Sequence, residues 1–220
     1  METGFFDWQF AWRILPDLLD AVRYTIGITF AGFGIALVFG LLLALLRRSR
    51  LQWLSWPAAF FIEFIRSTPL LIQLYFLFYV LPDYGLTLSA LATGTIGIGL
   101  HYSCYVAEVY RAGLNSVPRG QWEAARALSL GPWTVYRDII LPQAIRPILP
   151  TLGNYLIAMF KDTPVLSAIT VAELMLQAKN IGSESFRYIE PITMAGMFFL
   201  IISITVAMLV RRLEANLRMP

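Results

Sequence analysis

The chain has little charge, a single cysteine and a single histidine. Of its 220 residues, 14% are charged and 58% are hydrophobic, whereas soluble domains are about 25% charged. With one cysteine, the chain can build neither an intramolecular disulfide nor a cysteine-rich metal site. That residue, Cys104, lies in an apolar segment and is expected to be a small buried side chain. The composition argues against a soluble protein and against a disulfide-stabilised one, and it indicates a membrane protein.

The basic residues are better explained by membrane topology than by nucleic acid. The net charge is +3, but the 17 basic residues form no soluble cluster and no nucleic-acid motif accompanies them. The first twenty residues hold four acidic residues and one basic residue, Arg13, unlike the basic start of a secretory signal peptide. We therefore expect no nucleic-acid partner, and we expect the first hydrophobic segment to stay in the mature protein.

Five hydrophobic segments approach or exceed the roughly 20 apolar residues that cross a bilayer. We predict an all-α membrane protein with a single transmembrane domain over residues 1–220. Its predicted helices span about 24–46, 57–81, 86–107, 145–172 and 191–210. In the first, Gly32, Ala36 and Gly40 recur every four residues and predict close approach of another helix. Eleven basic residues fall on one side and four on the other, which predicts an outside N terminus and a cytoplasmic C terminus.

A polar segment at about 115–142 separates the third predicted helix from the fourth. Asn115 and Ser116 can cap a short helix, and Gly131-Pro132 can end it and begin another that stops at Pro142. Apolar residues recur at helical spacing in both halves: Trp122, Ala125, Leu128, Trp133, Tyr136 and Ile140. We predict a cytoplasmic helix-turn-helix. The alternative is an amphipathic element that rests on lipid.

The middle of this segment carries a specific string. It reads Gln121-Trp122-Glu123-Ala124-Ala125, and Ile139, Leu141 and Pro142 follow. The pattern resembles the cytoplasmic signature of permease subunits of ATP-binding-cassette (ABC) importers, which reads Glu-Ala-Ala, three residues, Gly, nine residues, Ile, one residue, Leu-Pro. Ser129 stands where the signature has glycine, and Gly131 follows two residues later. Since that glycine serves a turn, the displacement bears on the geometry of the loop more than on the resemblance itself, and the sequence leaves that geometry open.

Further matches cover most of the chain from about residue 27 to residue 212. They lie at 63–79, 105–111, 142–144, Asn154 and 161–163. Together with the cytoplasmic signature, they make the chain similar to the polar amino acid permease subfamily in particular.

The resemblance implies that the polar segment is a coupling helix that docks on a separate ATPase subunit. The residues it assigns to this contact are Gln121, Trp122, Glu123, Ala124, Ala125, Arg126, Ser129 and Gly131. Trp122 would anchor in a pocket of the ATPase, while the two alanines allow close approach. The chain has no phosphate-binding loop of the Gly-x-x-x-x-Gly-Lys-Ser/Thr type, so ATP and Mg²⁺ are expected on the partner and no cofactor is expected on this chain.

The resemblance also implies the rest of the assembly. Two permease subunits, identical or homologous, would form the pathway, two ATPases would dock on them, and an extracytoplasmic binding protein would deliver the substrate. The expected location is the bacterial inner membrane, crossed several times and in contact with lipid. The implied function is ATP-driven import of a polar amino acid or a related small zwitterion.

Two polar clusters are candidates for the substrate path. The first comprises Lys161, Asp162 and Thr163, with Asn154 about two turns earlier. Charges at mid-bilayer usually face a cavity or each other, so Lys161 paired with Asp162 or with Glu173 is the structural alternative. The second cluster comprises Glu63, Arg66, Ser67 and Thr68, for which a simple Glu63–Arg66 ion pair is the alternative.

Other functions are also open from the sequence. An ion-coupled secondary transporter or a channel could use Lys161, Asp162 and His101, although five crossings without an inverted repeat argue against it. A membrane scaffold would leave the mid-membrane charges unexplained. His101 itself, as the single histidine, is expected to be a hydrogen-bonded packing residue.

Overall fold

The computed structural model describes residues 6–217, and this part of the chain contains helices and turns but no β-strand. The α-helices are α1 Trp8–Arg47, α2 Gln52–Arg66, α3 Leu70–Tyr75, α4 Ala90–Ser116, α5 Arg119–Ala127, α6 Pro132–Thr134, α7 Leu141–Asp162, α8 Leu174–Ser185 and α9 Ile189–Leu217. Phe76–Val80 and Val135–Ile140 are π-helical, and Leu81–Tyr84 and Thr163–Ile169 are 3-10 helical. The prediction of an all-α membrane protein is confirmed.

The first helix begins about sixteen residues earlier than predicted, at Trp8 rather than near residue 24. Asp7 caps it, because its carboxylate accepts hydrogen bonds from the backbone N–H groups of Gln9 and Phe10 at 2.9 and 3.1 Å. The early turns hold charged residues that point outward, while Leu18 is fully buried against α8 and α9. A search for long runs without charged residues misses a helix that begins with an amphipathic segment.

The predicted close approach of another helix to the small residues of α1 is confirmed. A Cβ atom placed on Gly40 would lie 2.9 Å from the backbone oxygen of Ser103, and one on Gly99 would lie 2.9 Å from that of Gly32. The backbones of α1 and α4 are therefore in direct contact, which larger side chains would prevent. This pair of helices forms the centre of the fold.

The second predicted helix, at about 57–81, is broken in the structure. It ends at Arg66, resumes at Leu70 and turns through 107° between the two parts. Pro69 explains the break, because proline has no backbone N–H and disfavours the helical conformation of the residue before it. The third predicted helix, at about 86–107, is shifted: α4 begins after the capping Ser89 and continues to Ser116.

The polar segment also differs in detail from its prediction. Asn115 and Ser116 belong to the end of α4 and do not cap a new helix, and α5 begins after Pro118. Pro142 does not end the second half, because the chain stays helical from 132 to 169. The π-helical turn accounts for this: Leu141 N–H bonds the Tyr136 carbonyl five residues back, a spacing that accommodates the proline which follows.

The fourth predicted helix, at about 145–172, ends earlier and is followed by a helix that the sequence did not predict. The α-helical part stops at Asp162, a 3-10 stretch follows, and α8 leaves at an angle of 50°. Thr170 adopts a left-handed conformation with φ of 62° at the end of this stretch. The last helix, predicted at about 191–210, runs from Ile189 to Leu217.

Within residues 6–217, two helices are long and apolar enough to cross a membrane, Trp8–Arg47 and Ile189–Leu213. The number rises to four when each bent pair, at 52–84 and at 132–185, is counted as one span. Five crossings, the outside N terminus and the single domain over residues 1–220 stay predictions.

Candidate functional site

Two adjacent residues of α4 contact the two helix breaks. His101 and Tyr102 are both buried. His101 Nδ1 lies 3.0 Å from the side-chain oxygen of Gln73, just beyond the first break. The Tyr102 hydroxyl donates a hydrogen bond of 2.6 Å to Asp162, at the last residue of α7. Helix α4 thus joins the two breaks through side chains that lie next to each other.

The Gln73 side chain connects the two sides of the first break by hydrogen bonds. Its amide nitrogen donates to the backbone oxygens of Ile65 at 2.7 Å and Thr68 at 3.1 Å, and lies 2.7 Å from the Thr68 hydroxyl. The backbone groups that the break would otherwise leave without partners are therefore satisfied in part by a side chain.

Four aromatic rings converge between the two breaks. His101, Tyr102, Tyr105 and Tyr155 have neighbouring ring centroids 5.3–6.0 Å apart. The guanidinium of Arg66 lies over the ring of Tyr105, 5.3 Å from its centre. A cationic group and a carboxylate, that of Asp162, thus contact different rings of the same aromatic cluster. Such a cluster can contact both charges of a small zwitterion.

The predicted 161–163 cluster is divided between different surroundings. Asp162 faces Tyr102, and the Thr163 hydroxyl donates back to the Phe160 carbonyl at 2.8 Å. Lys161 is exposed in a groove of about 550 Å³ between α7 and α9, and Asn154 is exposed as well. Of these four residues, Asp162 is the one that hydrogen-bonds to a ring of the aromatic cluster.

The ion pairs considered for Lys161 are absent from the part of the chain that the structure describes. Glu173 is instead fully buried and caps α8, accepting from the backbone N–H groups of Met175 and Leu176 at 2.9 and 2.7 Å. The alternative pairing of Lys161 with Asp162 or Glu173 was therefore wrong. At Glu173, the carboxylate binds the N–H groups at the start of α8 in place of a lysine.

The predicted cluster at 63–68 serves two purposes. The Glu63–Arg66 ion pair is present at 3.8 Å, and Arg47 joins it by lying 3.6 Å from Glu63 and 2.7 Å from Glu108. Arg66 also reaches Tyr105, whereas Ser67 is exposed. The ion-pair alternative is thus confirmed for Glu63, and Arg66 belongs both to the network and to the aromatic cluster.

The coupling segment presents a different face from the one predicted. Trp122 packs inward on Tyr136, with ring centroids 5.5 Å apart, and Ala125 is 2% exposed. Its exposed residues include Gln121, Glu123, Ala124 and Arg126. The most exposed large apolar side chains are Leu128 and Trp133, at 72% and 75%. The sequence predicted that Trp122 and Trp133 belong to the same apolar face. In the structure, Trp122 packs inward, whereas Trp133 is exposed.

The turn of the coupling segment lies at Ser129 and not at the displaced glycine. Ser129 has a positive φ of 51°, the conformation that glycine adopts most readily. Gly131 is extended, with φ of −63°, and caps the next helix. Serine takes the left-handed conformation at the motif position, at a steric cost of about 1–2 kcal/mol.

The opposite end of the bundle is held by a charged cluster. Arg187 lies 2.9 Å from Asp7 and also pairs with the buried Glu190. Hydrogen bonds from the Phe10 backbone and from Arg187 hold the pKa of Asp7 below its usual value. This cluster ties the start of α1 to the start of α9.

A family model described as the binding-protein-dependent transport system inner membrane component matches residues 36–219. The chain belongs to this family. A probable amino-acid ABC transporter permease protein of Sinorhizobium fredii is 47% identical over 216 residues, 98% of this chain and 94% of its own. The glutamine transport system permease protein of Escherichia coli is 34% identical, with coverage of 97% and 98%.

A solved structure supports the same relationship. It is a crystal structure of an amino acid ABC transporter with histidines, 34% identical to this chain, with a TM-score of 0.91. The superposition covers 96% of this chain and 99% of the other. The sequence resemblance to importer permeases of the polar amino acid type is thereby confirmed, and with it the assignment as a membrane transport subunit.

Sequence reasoning missed Gln73, Tyr102 and Tyr155. A signal was present for the first, because a lone amide in an apolar membrane segment usually has a specific partner. The tyrosines gave no such signal, since their neighbours lie about 50–60 residues away along the chain.

Proposed function

We propose that this chain forms half of the membrane pathway of an ABC importer for a polar amino acid. The observation that carries the proposal is the convergence of Arg66, Asp162 and the four rings between two broken helices. Broken helices near the membrane centre are a common way for transporters to build a substrate site. Two of the relatives are named as amino-acid and glutamine permeases, which supports the same substrate class.

The charges of the cluster suit a zwitterion. Arg66 would bind the carboxylate of the substrate and Asp162 its ammonium group, while the Tyr105 and Tyr155 rings would enclose the body of the molecule. Glutamate, glutamine, arginine, histidine and cystine all carry these two groups. Transport then requires that the cluster bind substrate with different affinity in its inward and outward states.

Hydrolysis of ATP is assigned to a partner. The coupling segment would dock on an ATPase that holds ATP and Mg²⁺, with Leu128 and Trp133 as the apolar anchors and Glu123 and Arg126 at the rim. Trp122 would contribute indirectly, because it packs on Tyr136 and so fixes α5 on the π-helical turn. Gln121, Ala124 and Gly131 would complete the contact surface.

The remaining parts of the assembly follow from the family. A second permease subunit would complete the path, and an extracytoplasmic binding protein would deliver the substrate at the end that carries the Asp7–Arg187–Glu190 cluster. We place the chain in the bacterial inner membrane, with several crossings, an outside N terminus and a cytoplasmic C terminus.

Reconstitution tests this function. The chain, its ATPase and its binding protein are placed in proteoliposomes, and uptake of radiolabelled glutamine, glutamate, arginine, histidine and cystine is measured. We expect uptake of at least one of these amino acids only when ATP is present on the ATPase side. Uptake driven by an ion gradient without the ATPase would favour a secondary transporter and contradict the proposal.

The docking surface has its own test. Trp133→Ser should reduce substrate-dependent ATP hydrolysis about tenfold or more, since exposed aromatic anchors dominate many interfaces. Trp53→Ser is a matched control, because Trp53 is also strongly exposed, at 70%, but lies in the first turn of α2. Equal activity of Trp133→Ser and the control would rule out Trp133 as an anchor.

A further inference from the structure

The break in the second span lacks one specific hydrogen bond. In a continuous α-helix, the carbonyl of Ile65 would accept from the backbone N–H of residue 69. That residue is Pro69, which has no N–H. The Ile65 oxygen accepts instead from the Gln73 amide at 2.7 Å, with longer contacts of 3.2 Å from the Thr68 hydroxyl and 3.4 Å from the Thr68 backbone N–H. The side chain of Gln73 therefore makes the shortest of the contacts that replace the missing Pro69 N–H.

The orientation of the Gln73 amide is fixed by its neighbours. Its nitrogen contacts the backbone oxygens of Ile65 and Thr68, and both are acceptors only. The amide oxygen must then be the atom that faces His101 Nδ1 at 3.0 Å. Because this oxygen only accepts, Nδ1 must carry a hydrogen, so the neutral ring has its free lone pair on Nε2.

We propose that Gln73 and His101 are positioning residues for the substrate path. Gln73 holds the 107° bend, and His101 holds Gln73, so that Arg66 presents its guanidinium to the aromatic cluster. The inference rests on the proposed transport function, because it assigns the pair a role in placing a substrate-binding group.

The contacts form a closed loop, which distinguishes this arrangement from ordinary packing. Arg66 follows Ile65 directly in the chain, and its guanidinium lies 5.3 Å from the centre of the Tyr105 ring. Tyr105 is one helical turn beyond His101 on α4. Helix α4 therefore holds the break through His101 and Gln73, and it holds Arg66 through Tyr105. Loosening Gln73 moves Arg66 relative to Tyr105.

The single histidine of the chain makes the hydrogen-bond arrangement directly measurable. The full-length chain, purified without a histidine tag and labelled with ¹³C and ¹⁵N at histidine, gives one set of imidazole signals in lipid bilayers. Solid-state NMR should find Nδ1 protonated and hydrogen-bonded in the wild-type chain. In Gln73→Leu this preference should be lost. A neutral wild-type ring protonated at Nε2 alone would overturn the inference.

Uptake kinetics test the positioning role itself. In the reconstituted transporter, Gln73→Leu should raise KM about tenfold, the effect of losing one hydrogen-bonded contact to a charged substrate. His101→Asn, which keeps a donor for Gln73, should retain lower KM values than His101→Leu. Gln52→Leu, an exposed position in the first turn of α2, is the matched control.

The outcomes separate the two proposals. If the wild-type chain transports no amino acid, the proposed function fails, while NMR still tests the hydrogen bonds of Gln73 and His101. If the wild-type chain transports and Gln73→Leu keeps the wild-type KM, the pair only packs and the positioning role is overturned.

Discussion

The second and fourth hydrophobic stretches are both interrupted, and they are interrupted by different means. In the second, the chain turns through 107° at Ser67-Thr68-Pro69, where Ser67 and Pro69 are exposed and a side-chain amide spans the gap. In the fourth, a 3-10 stretch leads to a bend of 50° at which Glu173 is fully buried and caps the next helix. The first break is open at Ser67 and Pro69, whereas the second is closed where it ends, at Glu173.

The difference shows which polar groups are available for substrate. The Glu173 carboxylate accepts hydrogen bonds from two backbone N–H groups. The neighbouring Leu174 N–H donates to the Thr25 hydroxyl at 3.0 Å. In contrast, Arg66 at the first break and Asp162 at the start of the second each contact a ring of the aromatic cluster that α4 contributes. A charge in a membrane segment is therefore a candidate for function only after its local partners have been identified.

The largest expected effect comes from removing the buried cap. Glu173→Ala leaves two partly buried N–H groups without their partner, which should cost about 2–3 kcal/mol of folding free energy. The apparent melting temperature in detergent should fall by about 5–10 °C. Glu184→Ala, an exposed glutamate on the same helix, is the control. Gln73→Leu should destabilise less than Glu173→Ala, and the reverse order would contradict the distinction between a closed and an open break.

The next effect concerns the bond between α4 and the second break. Tyr102→Phe removes the donor to Asp162, a bond to a charged group that contributes about 1.5–3 kcal/mol. We expect the specificity constant for uptake to fall about tenfold or more. Tyr110→Phe, on the same helix but outside the aromatic cluster, should have little effect. If both variants behave alike, Asp162 does not depend on Tyr102 for its position.

The smallest effect is expected at a turn outside the two breaks. Ser129 has a left-handed backbone, and Ser129→Gly removes that strain at the expense of a more flexible unfolded chain. The net gain should be about 0.5–1 kcal/mol, seen as a rise in apparent melting temperature of about 2 °C. Uptake should be unchanged, because neither break is touched. A loss of stability would mean that serine makes a compensating contact at this turn.

Local patterns predicted the parts of the fold that depend on neighbours in sequence. The stripe of Gly32, Ala36 and Gly40 predicted a close helix contact, and the signature around Glu123 predicted a short helix before a turn. The same patterns did not predict the break at Pro69, because proline in a membrane helix is tolerated whenever other groups satisfy the freed carbonyl. Whether that happens depends on Gln73 and on its fixation by His101.

The candidate site was predicted in part for the same reason. Arg66 and Asp162 stand out in sequence as charges within apolar segments, and both reach the aromatic cluster. Lys161 stands out equally but points into the groove beside α9. Sequence spacing could not separate these cases, because the partners of Asp162 and Arg66 come from α4 and the direction of each side chain is set by helix packing.

The most direct test of the substrate path measures uptake and ATP hydrolysis in the same proteoliposomes for Arg66→Ala and Asp162→Asn. The account predicts that both variants lose most amino-acid uptake while they still assemble with the ATPase and retain its basal hydrolysis, because neither residue lies in the coupling segment. Uptake kinetics equal to those of the wild-type chain in both variants would show that the substrate does not pass between the two helix breaks.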